Sequence, residues 1–248
     1  MTQDWHVPGH LSFASSHAGR APFETTLLSY GPQILWPDHC VQGSFGAELS
    51  SALSIPKAEL IVRKGYRREI DSYSAFCEAD GATLTGLAGY LRERGFRRVF
   101  LAGLATDFCV AYSAVDARKA GFEVVVIEDA CRAIDTGGSL AAAWERMIDA
   151  GVAKATSSEL LGCGATKVGS TNGRAERAKK ERLVASLGRR KAQRNIYEKE
   201  NAARSPERRM LVEAAGQLIH LFRDGPDYAF ILRAGCGASY PSIVADGS

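Results

Sequence analysis

The sequence has no CxxC pair, no dense cysteine framework and no apolar run approaching membrane-spanning length. The first two absences argue against a disulfide-stapled scaffold, the third against a transmembrane helix. The opening residues are polar and aromatic, unlike a leader peptide. The six cysteines, at 40, 77, 109, 131, 163 and 236, therefore read as unbridged thiols in a reducing, cytosolic setting. Histidine is scarce, with five residues in all, yet four of the five stand at 6, 10, 17 and 39.

Apolar and charged residues make up 46% and 24% of the chain, the ordinary balance of a globular protein, and 248 residues suffice for one α/β domain plus an appendage. The net charge of +3 conceals a division. Between Arg174 and Arg209 thirteen Lys/Arg face five Glu, a balance of +8, which leaves −5 for the remainder. Two regions result: a mildly acidic body and a basic tail.

From residue 58 onward, short β-type runs alternate with helical patterns. Glu59 to Val62 reads as a strand ending at Arg63-Lys64-Gly65. Thr83 to Arg94 has helical spacing, with apolar residues at 84, 87, 88 and 91 and Gly95 as the stop. Val99–Gly103 is a strand, Cys109–Ala120 a helix, Glu123–Ile127 a strand, Leu140–Ala150 a helix and Val152–Ser157 a last short strand. This repetition predicts right-handed crossovers and a parallel sheet, whose site lies at the strands' carboxyl ends. Residues 1–162 form this domain. Residues 163–173 read as a small-residue linker, and 174–248 as a basic, mostly helical tail that packs loosely and adds nothing to the site. Within the tail, Ser205-Pro206 suits a helix start, and the last twenty residues look poorly ordered. Its basic balance could attract phosphates, but Tyr197 is the one aromatic between 174 and 209 and no nucleic-acid motif is present, so a solvated charged helix is expected.

Thr106-Asp107-Phe108-Cys109-Val110 lies between a strand and a helix. A thiol at a helix N-terminus feels the positive end of the dipole, which favours thiolate, and unpaired N–H groups there can hold an oxyanion. Lys64, ending a neighbouring strand, would promote thiolate further if its ammonium reached the sulfur. By spacing alone, a buried structural cysteine and a solvated strand-end lysine are the better readings of the two residues. Asp4 and His6, two apart in an extended segment, point to one face, and His10 and His39 would complete one carboxylate and three imidazoles. Such a set suits one divalent ion, Zn, Fe or Mn. His17 reads as a surface loop residue and His220 as structural or solvated.

Gly103-Leu-Ala-Thr-Asp-Phe-Cys-Val110, followed by Asp116-Ala-Arg118 and Gly121-Phe122, resembles the nucleophile segment of the nicotinamidase branch of the isochorismatase-like hydrolases. Thr2-Gln-Asp-Trp-His6, Gly9-His10, Trp36-Pro-Asp-His-Cys-Val-Gln-Gly43, Lys64-Gly65 and Asp71-Ser-Tyr-Ser-Ala-Phe76 fit the same family in the same order. The resemblance covers residues 2 to about 160. It implies an isochorismatase-like three-layer α/β fold, with a parallel sheet and flanking helices, and a thiol amidase that converts nicotinamide to nicotinate and ammonia. Cys109 would be the nucleophile and Lys64 the catalytic lysine. The N–H groups of Ala105 and Cys109 would form the oxyanion hole, beside a cis peptide between Leu104 and Ala105. Trp36 and Tyr73 would wall the ring slot, and Asp4, His6, His10 and His39 would hold the metal that anchors the substrate. Cys40 and Cys131 are assigned packing roles. The implied partner is a small pyridine carboxamide. A membrane and nucleic acid are not expected, and a homo-oligomer is left open.

The family pattern opens with a strand whose aspartate takes the thiol proton. Here Met1-Thr-Gln-Asp4 reads as the end of the second strand, so that first strand and its aspartate are expected to be missing, a segment of roughly 30 or more residues. A mistaken start and a decayed gene product both explain this. Asp107 resembles a loop cap and Asp71 reads as structural, so neither is expected to replace the lost acid. The alternatives to a nicotinamidase are a non-catalytic remnant that keeps the metal site and another carboxamide hydrolase of the same superfamily.

Overall fold

The computed structural model describes residues 1–49, 58–162 and 228–233. Six strands form one sheet: β1 (Thr2–Asp4), β4 (Val62–Lys64), β5 (Arg98–Leu104), β6 (Glu123–Arg132), β7 (Ala153–Ala155) and β8 (Tyr228–Arg233). Their order is β4-β1-β8-β5-β6-β7, with parallel pairing throughout. An antiparallel hairpin, β2 (Thr25–Leu28) and β3 (Gly31–Ile34), stands apart from it. The helices are α1 (Leu87–Glu93), α2 (Ala111–Lys119), α3 (Ser139–Asp149) and α4 (Ser157–Gly162).

Val99, Phe100, Leu101 and Ala102 of β5 are all buried, so both faces of this strand are covered, as a parallel sheet flanked by helices requires. On one face Val99 and Leu101 join Val124 and Val126 of β6, against Leu87 and Leu91 of α1, Ala111, Ala114 and Ala117 of α2, and Ala143 and Met147 of α3. The alanines let α2 approach closely. Ser113 of α2 accepts a hydrogen bond from the Ala75 N–H at 2.9 Å, which docks the 71–76 segment beside the nucleophile helix.

The strands and helices expected between residues 58 and 157 are present, with shifted bounds. The strand expected at Glu59–Val62 pairs instead over Val62–Lys64, in the register Thr2↔Val62, Gln3↔Arg63, Asp4↔Lys64. The helix expected from Thr83 begins only at Leu87, after Gly86 in a left-handed conformation (φ 86°). One π-helical turn, Thr106–Val110, precedes α2.

Two readings need correction. The place between β1 and β5 is filled, by β8 from the tail, which pairs with β5 over Arg98↔Tyr228 to Gly103↔Arg233 and meets β1 at Thr2↔Arg233. The tail therefore supplies a central strand, and the start of its last twenty residues is regular backbone. The helices expected at 174–203 and 205–221 lie outside the described residues. Cys77, Cys109 and Cys131 are unbridged, whereas Cys40 is disulfide-bonded. Among the described residues, no helix is long and apolar enough to cross a membrane.

Candidate active site

Three connections gather the site at the carboxyl ends of the strands. Chain leaving β1 runs beside the 39–42 segment: the His6 N–H donates to the Cys40 carbonyl (3.0 Å) and the Gln42 N–H to the His6 carbonyl (2.9 Å). Phe13 and Trp36 form a parallel bridge that draws the 10–14 turn alongside Trp36. Beyond β4, the chain turns at Gly65 and returns as the 71–76 segment.

Lys64 is fully buried, and its position follows from register. As the Cα partner of Asp4 on the adjacent strand, it sets its ammonium 3.4 Å from the Asp4 carboxylate. Nζ also donates to the carbonyls of Ser72 (2.9 Å) and Tyr73 (2.8 Å). Charge-assisted bonds of this kind hold a buried ammonium in one place.

Cys109 is buried within the π-helical turn that leads into α2, with the cis Leu104–Ala105 peptide just before it. The Ala105 carbonyl accepts from the N–H groups of Phe108 (3.2 Å) and Val110 (3.1 Å), which fixes the turn. Tyr73 links the two halves. Its carbonyl binds Lys64, while its ring packs 5.9 Å from Phe108, the neighbour of the thiol. Trp36 stands edge-on to Phe108 at 4.9 Å and donates its indole N–H to the Tyr73 hydroxyl (2.9 Å). Burial, then the charge of Asp71, holds the Tyr73 phenol well above its ordinary pKa; Cys109 adds a smaller push, as a neighbouring anion would.

Asp4, His6, His10 and His39 come together in two adjoining groups. Ligand atoms of His6, His10 and Asp71 lie within 4.8 Å of one another, and so do those of Asp4 and His39; the Cys40 sulfur beside that pair is oxidised in its disulfide and offers no thiolate. The rings of His6 and His39 are 4.6 Å apart, and those of His6 and His10 4.8 Å. Buried Phe13 packs 5.1–5.7 Å from all three imidazoles. These residues can hold a metal ion, and their donor atoms fit one. His6 Nδ1 and His10 Nε2 are buried without a hydrogen-bond partner, an arrangement that costs about 1–3 kcal/mol per group when nothing coordinates it. His39 Nδ1–H donates to the Pro37 carbonyl at 2.8 Å, which leaves the lone pair on Nε2. Burial, then the charge of His6, lowers the pKa of His10 and brings that of His39 to about 4, so both imidazoles are neutral near pH 7.

Asp71 and Gln33 are the residues that sequence reasoning did not place here. Asp71 is buried 3.7 Å from His6 Nε2 and accepts from Gln33 Nε2 at 2.7 Å. Asp107, next to the thiol, accepts from the N–H groups of Ile134 (3.1 Å) and Asp135 (2.9 Å) and from the Ser139 hydroxyl (2.5 Å). It is a loop cap, as expected. His17 binds the Leu11 carbonyl at 2.8 Å, away from the cluster, and His220 lies outside the described residues.

A parallel α/β sheet with a cysteine beyond β5 and a His/Asp cluster beyond β1 and β4 is a layout that suits a hydrolase of the α/β class. The isochorismatase domain matches residues 20–159, and the chain belongs to that family. The nicotinamidase of Acinetobacter baylyi is 59% identical over 161 residues, covering 65% of this chain and 75% of the relative. A solved nicotinamidase/pyrazinamidase of Acinetobacter baumanii is 57% identical with a TM-score of 0.63, covering 64% of this chain and 77% of its own. PnC1 of L. infantum, solved in complex with nicotinate, is 44% identical with a TM-score of 0.54, over 63% of this chain and 70% of its own. These relatives place the chain on the nicotinamidase branch.

Proposed function

We propose that the chain is a nicotinamidase-type amidohydrolase, converting nicotinamide and water to nicotinate and ammonia through a thioester on Cys109. The observation that carries this reading is the position of the Trp36–Tyr73–Phe108 aromatic group, which adjoins the thiol on one side and reaches the histidine cluster through Phe13 on the other. A flat ring laid against this group would be held for attack at its carboxamide, which is catalysis by positioning. The nicotinate in the L. infantum relative is the product this chemistry yields.

In this reading the Cys109 thiolate adds to the carboxamide carbon, and the N–H groups of Ala105 and Cys109 receive the oxyanion. Ammonia leaves with a proton, and water then cleaves the thioester to give the acid and restore the thiolate. Lys64, pinned by Asp4 and two carbonyls, contributes a fixed positive charge. Asp4, His6, His10 and His39 would hold one divalent ion, Zn, Fe or Mn, which when bound supplies an electrophilic anchor for the pyridine nitrogen.

One observation favours a second reading, a chain that keeps the site but turns over weakly or not at all. The strand between β1 and β5, Tyr-Ala-Phe-Ile-Leu-Arg, carries no carboxylate to serve as general base, and Asp107 is committed to its loop. Loss of general acid–base help typically costs ~10²–10⁴-fold. The test is ammonia release from nicotinamide by the metal-loaded full chain, with Cys109→Ala as control and the first turnover resolved from the steady state. Release that depends on Cys109, with a burst exceeding slow turnover, supports the amidase. A folded, metal-loaded chain with neither burst nor turnover supports the second reading.

A further inference from the structure

Asp71 has no part in the hydrolytic steps above, yet it is buried and every contact of its carboxylate leads to a different part of the site. Oδ1 accepts from the Ser72 N–H at 2.8 Å and lies 3.7 Å from His6 Nε2, while Oδ2 accepts from Gln33 Nε2 at 2.7 Å. The same Gln33 amide nitrogen is 2.9 Å from the Tyr73 hydroxyl, which accepts from the Trp36 indole at 2.9 Å. Tyr30 closes the group. Its hydroxyl donates to Gln33 Oε1 (2.9 Å) and accepts from the Asp71 N–H (3.2 Å).

We propose that Asp71 is a positioning residue that couples the histidine cluster to the aromatic slot. The inference rests on the metal-assisted amidase reading. A carboxylate facing His6 Nε2 favours the proton on that nitrogen, which leaves the lone pair on Nδ1, a buried atom with no hydrogen-bond partner. The two hydrogens of the Gln33 amide go to Asp71 Oδ2 and the Ile34 carbonyl, each at 2.7 Å, which sets the side chain against the Tyr73 hydroxyl and with it the Trp36 indole. A change at His6 thereby reaches the Tyr73–Trp36 pair through Asp71 and the packing of Gln33. Direct ligation by Asp71 is the less suitable role: Oδ2 is taken by Gln33, and Oδ1 by the Ser72 N–H.

The experiment is a double-mutant cycle on metal affinity with the full chain, using Zn²⁺ in competition with a chelator for the wild type, Asp71→Asn, His6→Ala and the double variant. Asp71→Asn is expected to weaken Zn²⁺ binding 10–100-fold, as loss of an outer-shell partner typically does. On the His6→Ala background it is expected to cost little more, because Asp71 acts through His6. Losses that simply multiply would overturn the proposal. So would a Co²⁺ absorption spectrum showing that Asp71→Asn removes an oxygen ligand. Nitrogen NMR of His6 in the metal-free wild type gives a readout independent of any variant's folding. A proton on Nε2 is expected, and one on Nδ1 overturns the assignment. If the wild type binds no Zn²⁺, the metal reading itself has failed, and the NMR tautomer still decides for or against Asp71.

Discussion

The imidazole of His6 lies so close against Gly65 that a Cβ at residue 65 would stand 2.3 Å from His6 Cδ2 and 2.5 Å from Nε2. Gly65 also has φ +72°, a conformation that costs a side-chain-bearing residue about 1–2 kcal/mol. The Lys64-Gly65 pair thus serves two ends: the lysine ends β4 inside the site, and the glycine clears space for a histidine. Gly65→Ala should push the His6 ring out of place, weaken metal binding at least ~10-fold and lower the melting temperature. Metal content after dialysis and a thermal melt would check this. Unchanged binding would mean that the ring is not held against residue 65.

Lys64 is expected to matter for stability before it matters for rate. Removing one partner of a buried ion pair costs about 3–5 kcal/mol, because the other charge is left in low dielectric. Lys64→Ala would strip the Asp4 carboxylate and the Ser72 and Tyr73 carbonyls of their shared donor at once. Urea unfolding should show a loss in that range, whereas Cys109→Ala should be nearly neutral in stability and silent in activity. If Lys64→Ala unfolds at the wild-type midpoint, the buried pair contributes nothing.

How far the sequence could be read follows from the physics of each feature. The β5–α2 unit was legible because a continuous apolar run, a turn and a helical pattern follow one another, and Cys109 sits at their junction. Lys64 was legible as a strand end, although the strand's register with Asp4 was not. The β2–β3 hairpin escaped notice because Pro32 and Gly31 interrupt the alternation that marks a strand. Asp71 and Gln33 are 38 residues apart and carry no local pattern, so only the fold brings them together. The Cys40 disulfide likewise follows no spacing rule. The place of Tyr228–Arg233 between β1 and β5 is non-local in the extreme, since the strand pairs with residues more than a hundred positions earlier.

The pH dependence of the metal-free chain should come from histidine. His39 titrates at about 4 in the fold, against an ordinary 6.5, and His10 is shifted the same way. As pH falls below 6.5, the unfolded chain binds protons that the folded chain does not, so stability decreases down to about 4. For His39 the slope approaches about 1.4 kcal/mol per pH unit within that window, and His10 acts in the same direction. Asp71 acts elsewhere: burial alone would raise its pKa, but the contact with His6 and the charges of His6 and His10 bring it to about 2. Its contribution is present above about 3.8 and is lost as pH falls through 2. Melting temperatures between pH 7.5 and 4.5 should decline, and His39→Gln should flatten the decline. A profile identical in that variant would remove His39 as a cause.

The last prediction concerns the strand that the tail contributes. In the order β4-β1-β8-β5-β6-β7, the Lys64 and histidine side of the site stands on β1 and β4, and the thiol follows β5. Within the sheet, β8 alone joins these halves, pairing with β5 along all six of its residues. Without it, β1 and β5 would each present an unpaired backbone edge, and the contacts of Trp36 and the 71–76 segment with Phe108 and α2 would have to hold the site. Ile231 pairs with Leu101 in mid-strand, where proline removes a ladder donor and is tolerated poorly. Ile231→Pro, and separately deletion of residues 228–248, should therefore broaden or abolish cooperative unfolding and release bound metal. Any Cys109-dependent burst with nicotinamide should be lost with it. A deletion variant that melts at the wild-type temperature and keeps its metal would show that the sheet does not depend on β8. The sheet would then be complete enough on the residues before 163, and the tail would be free of the site, as its composition alone suggests.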